Sequence, residues 1–370
     1  LRFGHRASGV FLSFIVINTV MSAFISATTA KAAILLPVFM VIAAIYGARQ
    51  GDGRNNFGRN IVLQNLLCIN LGAGAFMTGS GANLLAVALI TGAISGSIYF
   101  SDWMIAMLPT MIGLMLLGYI LGARVFFPLP EAERAPQVAG GLQRLRDEYD
   151  RMGPLSWTEV RAAILFLAIL ILWITDRWHG ISATAVALLG GIVALLPRVG
   201  IVEWNDVDIP WHLMLFSAGA YCLGAGFAQT GLPEISVGAF FSYAGIDSDT
   251  PFWAVYLLLT GIMALSALVS QAKTMRAMLF VPIAIGAAET LGYSVISLAL
   301  PVAFLIEHVY VLPFNSKPAA LLYETDHYSL GDGFRYGITM MLAGWISIVV
   351  LGETWFRFLG ITPDGVFGLF

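Results

Sequence analysis

Four stretches of this chain, residues 10–20, 104–127, 162–174 and 338–351, carry a single charged side chain among them, Arg124. Runs of that kind are helices that live in lipid, where about 20 consecutive apolar residues span the hydrocarbon layer. They show no sustained two-residue alternation, so the pattern is that of helices and not of a barrel. Only 11% of the 370 residues are charged and 58% are hydrophobic, where a soluble domain carries about a quarter charged residues. The fold class this implies is an all-α membrane protein. A net charge of −3 gives nucleic-acid binding no electrostatic footing. Cys68 and Cys222 sit within apolar runs and read as small packing residues. There is no Walker motif and no HExxH, and the chain is not expected to be an enzyme or to hold a cofactor or a resident metal.

Spans are expected at about 8–20, 21–46 (broken), 61–98, 104–127, 160–178, 181–197, 211–244, 252–268, 269–290 (broken), 293–323 and 335–358. The polar segment 128–159 separates two halves, 1–127 and 160–370, and reads as an amphipathic surface helix. Arg49, Arg54 and Arg59 lie in one turn, and Arg124, Arg134, Arg144, Arg146, Arg151 and Arg161 flank the central segment. Basic loops face the cytoplasm, so both regions are expected there. Stretch 21–46 then either crosses the membrane or enters and leaves from inside as a hairpin. The chain begins at Leu1 without an initiator Met, and further helices are expected ahead of it.

The halves repeat one another. Ser22-Ala23-Phe24-Ile25-Ser26 recurs as Ser266-Ala267-Leu268-Val269-Ser270, and Thr29-Ala30-Lys31 as Thr274-Met275-Arg276. Lys31 and Arg276 stand at the same distance ahead of Pro37 and Pro282. Gly79-Ser80-Gly81-Ala82-Asn83 has its counterpart in Asn315-Ser316-Lys317-Pro318-Ala319, and the segment through Asp102 echoes the one through Asp332. Internal repeats in a membrane protein indicate a transporter whose site lies between the copies near mid-membrane. The expected architecture is two inverted repeats, each with a re-entrant helical hairpin (about 21–46 and 269–290) and a broken transmembrane helix (about 61–98 and 293–323).

Small polar residues inside apolar runs are costly in lipid unless they face protein or a cavity. Ser26-Ala27-Thr28-Thr29 falls where such a break belongs. A broken helix turns free N–H groups and its positive end toward a cavity, where they attract anions; alternatively the hydroxyls bond back to their own helix. Lys31 and Arg276 are intramembrane cations, which are rare and usually functional, and Lys273 and Lys317 add two more. They either attract an anion, snorkel to a surface, or pair with Glu289 or Glu307. Glu307-His308 in an apolar run could relay protons or form a salt bridge to Lys317.

Taken together, the segment from Ser22-Ala23-Phe24-Ile25-Ser26 to Leu36-Pro37 resembles the Ser-Asn-Thr hairpin of the divalent anion/sodium symporter family, within the citrate and arsenite permease superfamily. Gly79-Ser80-Gly81-Ala82-Asn83-Leu84 resembles its Gly-Thr-Pro-Pro-Asn-Leu loop, and Leu312-Pro313-Phe314-Asn315-Ser316-Lys317-Pro318-Ala319 is similar to the second such loop. Trp211 through Gln229-Thr230-Gly231-Leu232 looks like the family segment after the cytoplasmic loop. The resemblance implies an elevator-type, multi-pass carrier of di- or tricarboxylates or sulfate in the inner membrane, a homodimer whose hairpin tips and loops bind substrate and often sodium.

On that reading the substrate-binding residues are Ser26, Thr28, Thr29, Ser80, Asn83, Ser270, Lys273, Thr274, Asn315 and Ser316, with Lys31, Arg276 and Lys317 supplying positive potential. Glu307 and His308 are the candidates for proton coupling. Sodium, if used, belongs near Ser22, Ser26, Gly79, Ser266 and Ser270. The Asn of Ser-Asn-Thr is missing from both tips, and Lys31 and Arg276 stand where the family has neutral residues. A sodium site needs oxygen ligands and no adjacent fixed cation, so these side chains are expected to replace sodium, leaving coupling to protons or anion exchange. An arsenite or metalloid oxyanion efflux permease is the nearest alternative; a non-transporting sensor or a membrane-embedded enzyme is the alternative of another class.

Overall fold

The computed structural model describes residues 4–368 except 139, 271 and most of 208–248. The span expected at 211–244, with its Gly231-Leu232 segment, therefore lies largely outside the described residues. Every regular element among those described is helical, and six of the helices are long and apolar enough to cross a membrane. This is a multi-pass membrane protein.

Helix α1 (Ala7–Phe24) and α2 (Thr28–Ile45) are separated only by Ile25, Ser26 and Ala27, whose backbone is extended at Ile25 and Ala27. The Tyr46 hydroxyl at the end of α2 donates to the Gly4 carbonyl, 2.7 Å away, just ahead of α1. The two helices thus leave and return at one end, as a hairpin. The expected boundaries are corrected accordingly: residues 8–20 are not a separate span but the outer part of the hairpin's first arm. No charged residue interrupts residues 7–30, so only a tip of three residues betrays the reversal.

Helix α3 (Asn56–Ala75) is capped by the Asn55 side chain, which accepts from the Gly58 N–H. It breaks at Phe76–Gly79 and resumes as α4 (Gly81–Ala93). Helix α5 (Phe100–Leu121) runs back toward the hairpin mouth, where a cavity of about 660 Å³ is lined by His5, Arg6, Tyr119 and Arg124. The linker carries the polar helix α6 (Gly141–Arg151), and its Gln137 and Val138 N–H groups bond the Ile45 carbonyl at that same mouth. Basic residues therefore collect at one end of the bundle, as the positive-inside pattern requires. The apolar α7 (Trp157–Ile174) opens with a Ser156–Glu159 capping box, and α8 (Ala183–Leu195) packs against it.

The hairpin of the second half is formed by α9 (Phe252–Ser266) and α10 (Lys273–Leu291). Here too the second arm's end meets the first arm's start: Tyr293 donates to the Thr250 carbonyl at 3.0 Å and its ring packs edge-on against Phe252 at 5.0 Å. As in the first half, the hairpin is longer than the expected 269–290, because α9 is its first arm. Its mouth sits at the opposite end of α5 from that of the first hairpin, since Ser294 and Ile296 line a cavity of about 560 Å³ with Ser95, Asp102 and Arg177. Helix α11 (Val295–Phe304) then breaks over residues 305–316 and resumes as α12 (Lys317–Tyr323). The closing helix is α13 (Leu330–Glu353), where Ser329 and Asp332 form a capping box. The counterpart acid, Asp102, accepts from the Tyr99 N–H ahead of α5.

The halves exchange partners. Helix α4 packs against α10, an arm of the second hairpin, and α12 packs against α2, an arm of the first. Arg54 pairs with Asp326 and Arg59 with Asp332 across the same division. These exposed or half-exposed pairs add little stability; the exchanged helices hold the halves together.

Candidate functional site

The two hairpin tips meet inside the bundle. Lys273 Nζ, on the first residue of α10, lies 3.5 Å from the Thr28 hydroxyl, on the first residue of α2. Neither helix has a side-chain cap, and neither has an acidic residue in its first turn. An α-helix begins with four N–H groups that have no partner within it, so two sets of such donors and two positive helix ends converge here.

Lys273 also donates to Asn70 Oδ1 at 2.9 Å and forms an ion pair with Glu307 Oε2. Glu307 is fully buried. The salt bridge considered between Glu307 and Lys317 is therefore corrected: Lys317 is exposed on the first residue of α12, and Lys273 is the partner. Glu289 is exposed near the end of α10 and pairs with neither Lys31 nor Arg276.

Lys31 and Arg276 are both buried. Each reaches back across its own tip to the serine at the end of the preceding arm: Lys31 Nζ donates to Ser22 Oγ at 2.7 Å, and Arg276 Nε to Ser266 Oγ at 2.9 Å. Ser22 in turn donates to the Asn18 carbonyl, and the Asn18 amide donates to Asn65 Oδ1 at 3.1 Å. Arg276 reaches further. Its Nη1 donates to the Ile306 carbonyl (2.8 Å), and its Nη2 to those of Met263 (2.6 Å) and Leu305 (3.2 Å). Arg276 thus occupies a carbonyl-rich end of its broken segment, where backbone oxygens with free lone pairs gather, and Lys31 holds the Ser22 hydroxyl at the matching place in the first half. Neither side chain snorkels.

The serines and asparagines of the two loops serve mainly to brace them. Ser80 Oγ accepts from the Asn83 N–H and caps α4; Ser316 Oγ accepts from the Ala319 N–H and caps α12. The Asn83 amide donates to the Ala73 and Phe76 carbonyls. The Asn315 amide donates to the Ala267 carbonyl at 2.6 Å, fixing the second loop to the second tip. In the first half the matching tie is Thr78, whose hydroxyl donates to the Ala23 carbonyl at 3.2 Å. Gly79 packs directly on the backbone of Ala73, leaving no room for a Cβ. Ser26 is exposed and Thr29 half-buried at the first tip; Ser270 and Thr274 are half-buried at the second, where Ser270 Oγ has no hydrogen-bond partner among the described residues.

Sequence reasoning missed the amides of α3. Asn60, Gln64, Asn65 and Asn70 are all buried, and Asn70 touches the central lysine. The signal was present, since four amides in one apolar span are as anomalous as a charge. His308 adjoins Glu307 in sequence but faces away from the tips, with its ring against Phe304 (5.3 Å) and Tyr310 (5.8 Å). Among the described residues no cluster of three or more His, Cys, Asp or Glu side chains is placed to hold a metal ion.

Comparison with known proteins places the sequence in a transporter family. The sodium:sulfate symporter transmembrane region matches residues 1–362. A membrane protein of Cupriavidus necator is 22% identical over 96% of this chain and 69% of its own length. The chloroplastic dicarboxylate transporter 1 of Arabidopsis thaliana is 25% identical over 97% of this chain. The L-tartrate/succinate antiporter of Escherichia coli is 24% identical over 96% of it. The chain spans 64% of the length of the Arabidopsis protein and 72% of the Escherichia coli protein.

Proposed function

This chain belongs to the sodium:sulfate symporter family, and from that premise we propose that it is a secondary transporter of small dianions, with dicarboxylates the first class to test. The observation that carries the reading is the charge balance where the uncapped starts of α2 and α10 converge. Three basic side chains, Lys31, Lys273 and Arg276, stand against one acidic side chain, Glu307, which pairs with Lys273, so the bases outnumber the acid by two. A dianion neutralises that excess, and its oxygens cap the free N–H groups. A neutral metalloid hydroxide would leave the excess uncompensated, which disfavours the arsenite alternative. The similar proteins from Arabidopsis and Escherichia coli, named for dicarboxylates, tartrate and succinate, point to the same class.

Lys31 and Arg276 stand in for sodium on this reading. Each donates to oxygens that a bound cation would otherwise engage, and a second, mobile cation beside a fixed one is repelled by several kcal/mol in a site of low dielectric. Transport is therefore independent of sodium and is driven by protons or by exchange. The repeated tips, the hairpins that open at opposite ends and the crossed packing of α4 and α12 support an inverted-repeat carrier that alternates access. A homodimer in the inner membrane, working as an elevator, is the assembly this reading implies.

The test is counterflow of radiolabelled succinate, sulfate and citrate by purified protein in proteoliposomes, at two pH values, with and without sodium. Succinate counterflow that is unchanged when sodium is replaced by choline is the expected result. Absolute dependence on a sodium gradient would refute the assignment of Lys31 and Arg276. Binding of these anions without counterflow would make the protein a sensor.

A further inference from the structure

The mouth of the first hairpin holds a second concentration of positive charge, far from the tips. The cavity of about 660 Å³ there is lined by His5 and Arg6 ahead of α1, Arg124 after α5 and Arg134 in the linker, with Glu131 as the carboxylate on its wall. The Arg6 and Arg124 side chains have no hydrogen bond or ion pair among the described residues, and Arg134 has only the Leu129 carbonyl, to which its Nε donates at 3.1 Å. The nearby Glu133 turns instead to α3, accepting from the Phe57 N–H at 2.6 Å. Arginine stays charged at any pH the protein meets, so three fixed positive charges share one counter-charge. In the same wall α1 begins at Ala7 without a side-chain cap and without an acidic residue in its first turn.

Below the cavity the surface is apolar and uncovered. On α1, Ser8 of the wall is followed at four-residue intervals by Leu12 and Val16, 42% and 61% exposed. On α5, Ile120 and Leu116, 44% and 37% exposed, precede Ala123 at the wall. Residues three and four apart share a helix face, so each helix carries an exposed apolar stripe from the cavity toward mid-membrane. The two helices touch at this level, where the rings of Phe11 and Tyr119 lie 5.7 Å apart.

We propose that this cavity binds the phosphate headgroup of an anionic phospholipid whose acyl chains lie along the stripes of α1 and α5. Guanidinium forks pair with phosphate oxygens two at a time, and the uncapped start of α1 offers free N–H groups to the same anion. A soluble phosphate would use the head of this site and leave the stripes bare. A zwitterionic lipid would bring a cation into a pocket that already has an excess of positive charge. The site is separate from the dianion site and holds whether or not that reading does, because the 18 residues of α1 put about 27 Å between the cavity and the tips. A headgroup held there joins α1, the end of α5 and the linker, the three segments that meet at the mouth.

The test is a titration of the purified protein in detergent with dioleoyl phosphatidylglycerol, dioleoyl phosphatidylcholine and inorganic phosphate, read as the rise in melting temperature and as lipid retained in native mass spectrometry. Phosphatidylglycerol should give a saturable rise and a retained lipid; the other two should give neither. Arg6→Gln, Arg124→Gln and Arg134→Gln should each raise the half-saturating phosphatidylglycerol concentration about fivefold, and the triple variant about a hundredfold. Glu131→Gln should lower it, a gain that misfolding cannot imitate. Ser8→Asp puts a carboxylate where it favours the helix start, so its loss of lipid response is not a loss of folding. Half-saturation in the triple variant equal to wild type overturns the proposal, as does an equal response to phosphatidylcholine. A rise with inorganic phosphate that phosphatidylglycerol does not exceed makes this a free-anion site and overturns the lipid assignment. If the triple variant does not fold, Glu131→Gln and Ser8→Asp decide in its place, and wild-type half-saturation in both overturns it.

Discussion

Replacing Arg276 with Met removes four donated hydrogen bonds at once, to Ser266 Oγ and to the carbonyls of Ile306, Met263 and Leu305. The acceptors do not suffer equally. The Met263 carbonyl keeps the Ser266 hydroxyl as a donor, and the Leu305 carbonyl keeps the His308 N–H. A hydrogen bond from a charged donor contributes about 1.5–3 kcal/mol net, but here the guanidinium also gives up water to be buried. Taking about 1–1.5 kcal/mol for each of the four bonds, the variant should lose about 4–6 kcal/mol. Arg276→Lys retains one or two of the contacts and should lose about half as much. Lys31→Met breaks one hydrogen bond, to Ser22, and should lose about 1–2 kcal/mol. The order of thermal unfolding, followed by tryptophan fluorescence in one detergent, is then wild type, Lys31→Met, Arg276→Lys, Arg276→Met. It follows that Lys31→Met is the informative variant for transport, since its effect on activity is separable from folding. An Arg276→Met protein that melts with Lys31→Met would refute the account of Arg276 as the brace that ties the end of α9 to the break after α11.

Three further outcomes are expected. Lys273→Met removes a unit charge at the tips and leaves Glu307 unpaired; a charge at about 4 Å is worth about 4 kcal/mol at an effective dielectric of 20, and even a third of that raises the half-saturating concentration of a dianion about tenfold. The double variant Lys273→Met, Glu307→Gln removes the stranded carboxylate, so its half-saturating concentration should fall back toward wild type; a worse value than the single variant would contradict the charge balance. Gly79→Ala drives a Cβ into the Ala73 backbone, whereas Gly81→Ala meets open space; the first should yield little folded protein by fluorescence-detected size exclusion and the second wild-type amounts. Tyr46→Phe unlatches the first hairpin's mouth from Gly4 and should cost about 1 kcal/mol, read as a melting shift smaller than that of Arg276→Lys.

Much of this arrangement could be read from residue order. The matched positions Ser80 and Ser316 cap equivalent half-helices, Asp102 and Asp332 accept at equivalent helix starts, and Lys31 and Arg276 bond equivalent serines. Each rests on local chemistry, a cap or a contact across one tip, which spacing along the chain preserves. What could not be read depends on partners far away in sequence. The choice of Lys273 over Lys317 for Glu307 is made by the fold alone. The hairpin arms were hidden because no charged residue interrupts residues 7–30, and hydropathy does not report a reversal as short as Ile25-Ser26-Ala27. His308 looked like a partner of the tips because it follows Glu307, but the turn at residues 305–307 points the two side chains apart.

The crossed seating of α4 on α10 and α12 on α2 limits what kind of movement can expose the pocket. Prying the halves apart like a clamshell would peel both half-helices from their seats and pull Lys273 from Asn70 and Thr28 in the same stroke. The tips and loops are therefore welded into one block. On the transport function proposed above, the movement that carries the solute from one face of the bilayer to the other shifts that block whole.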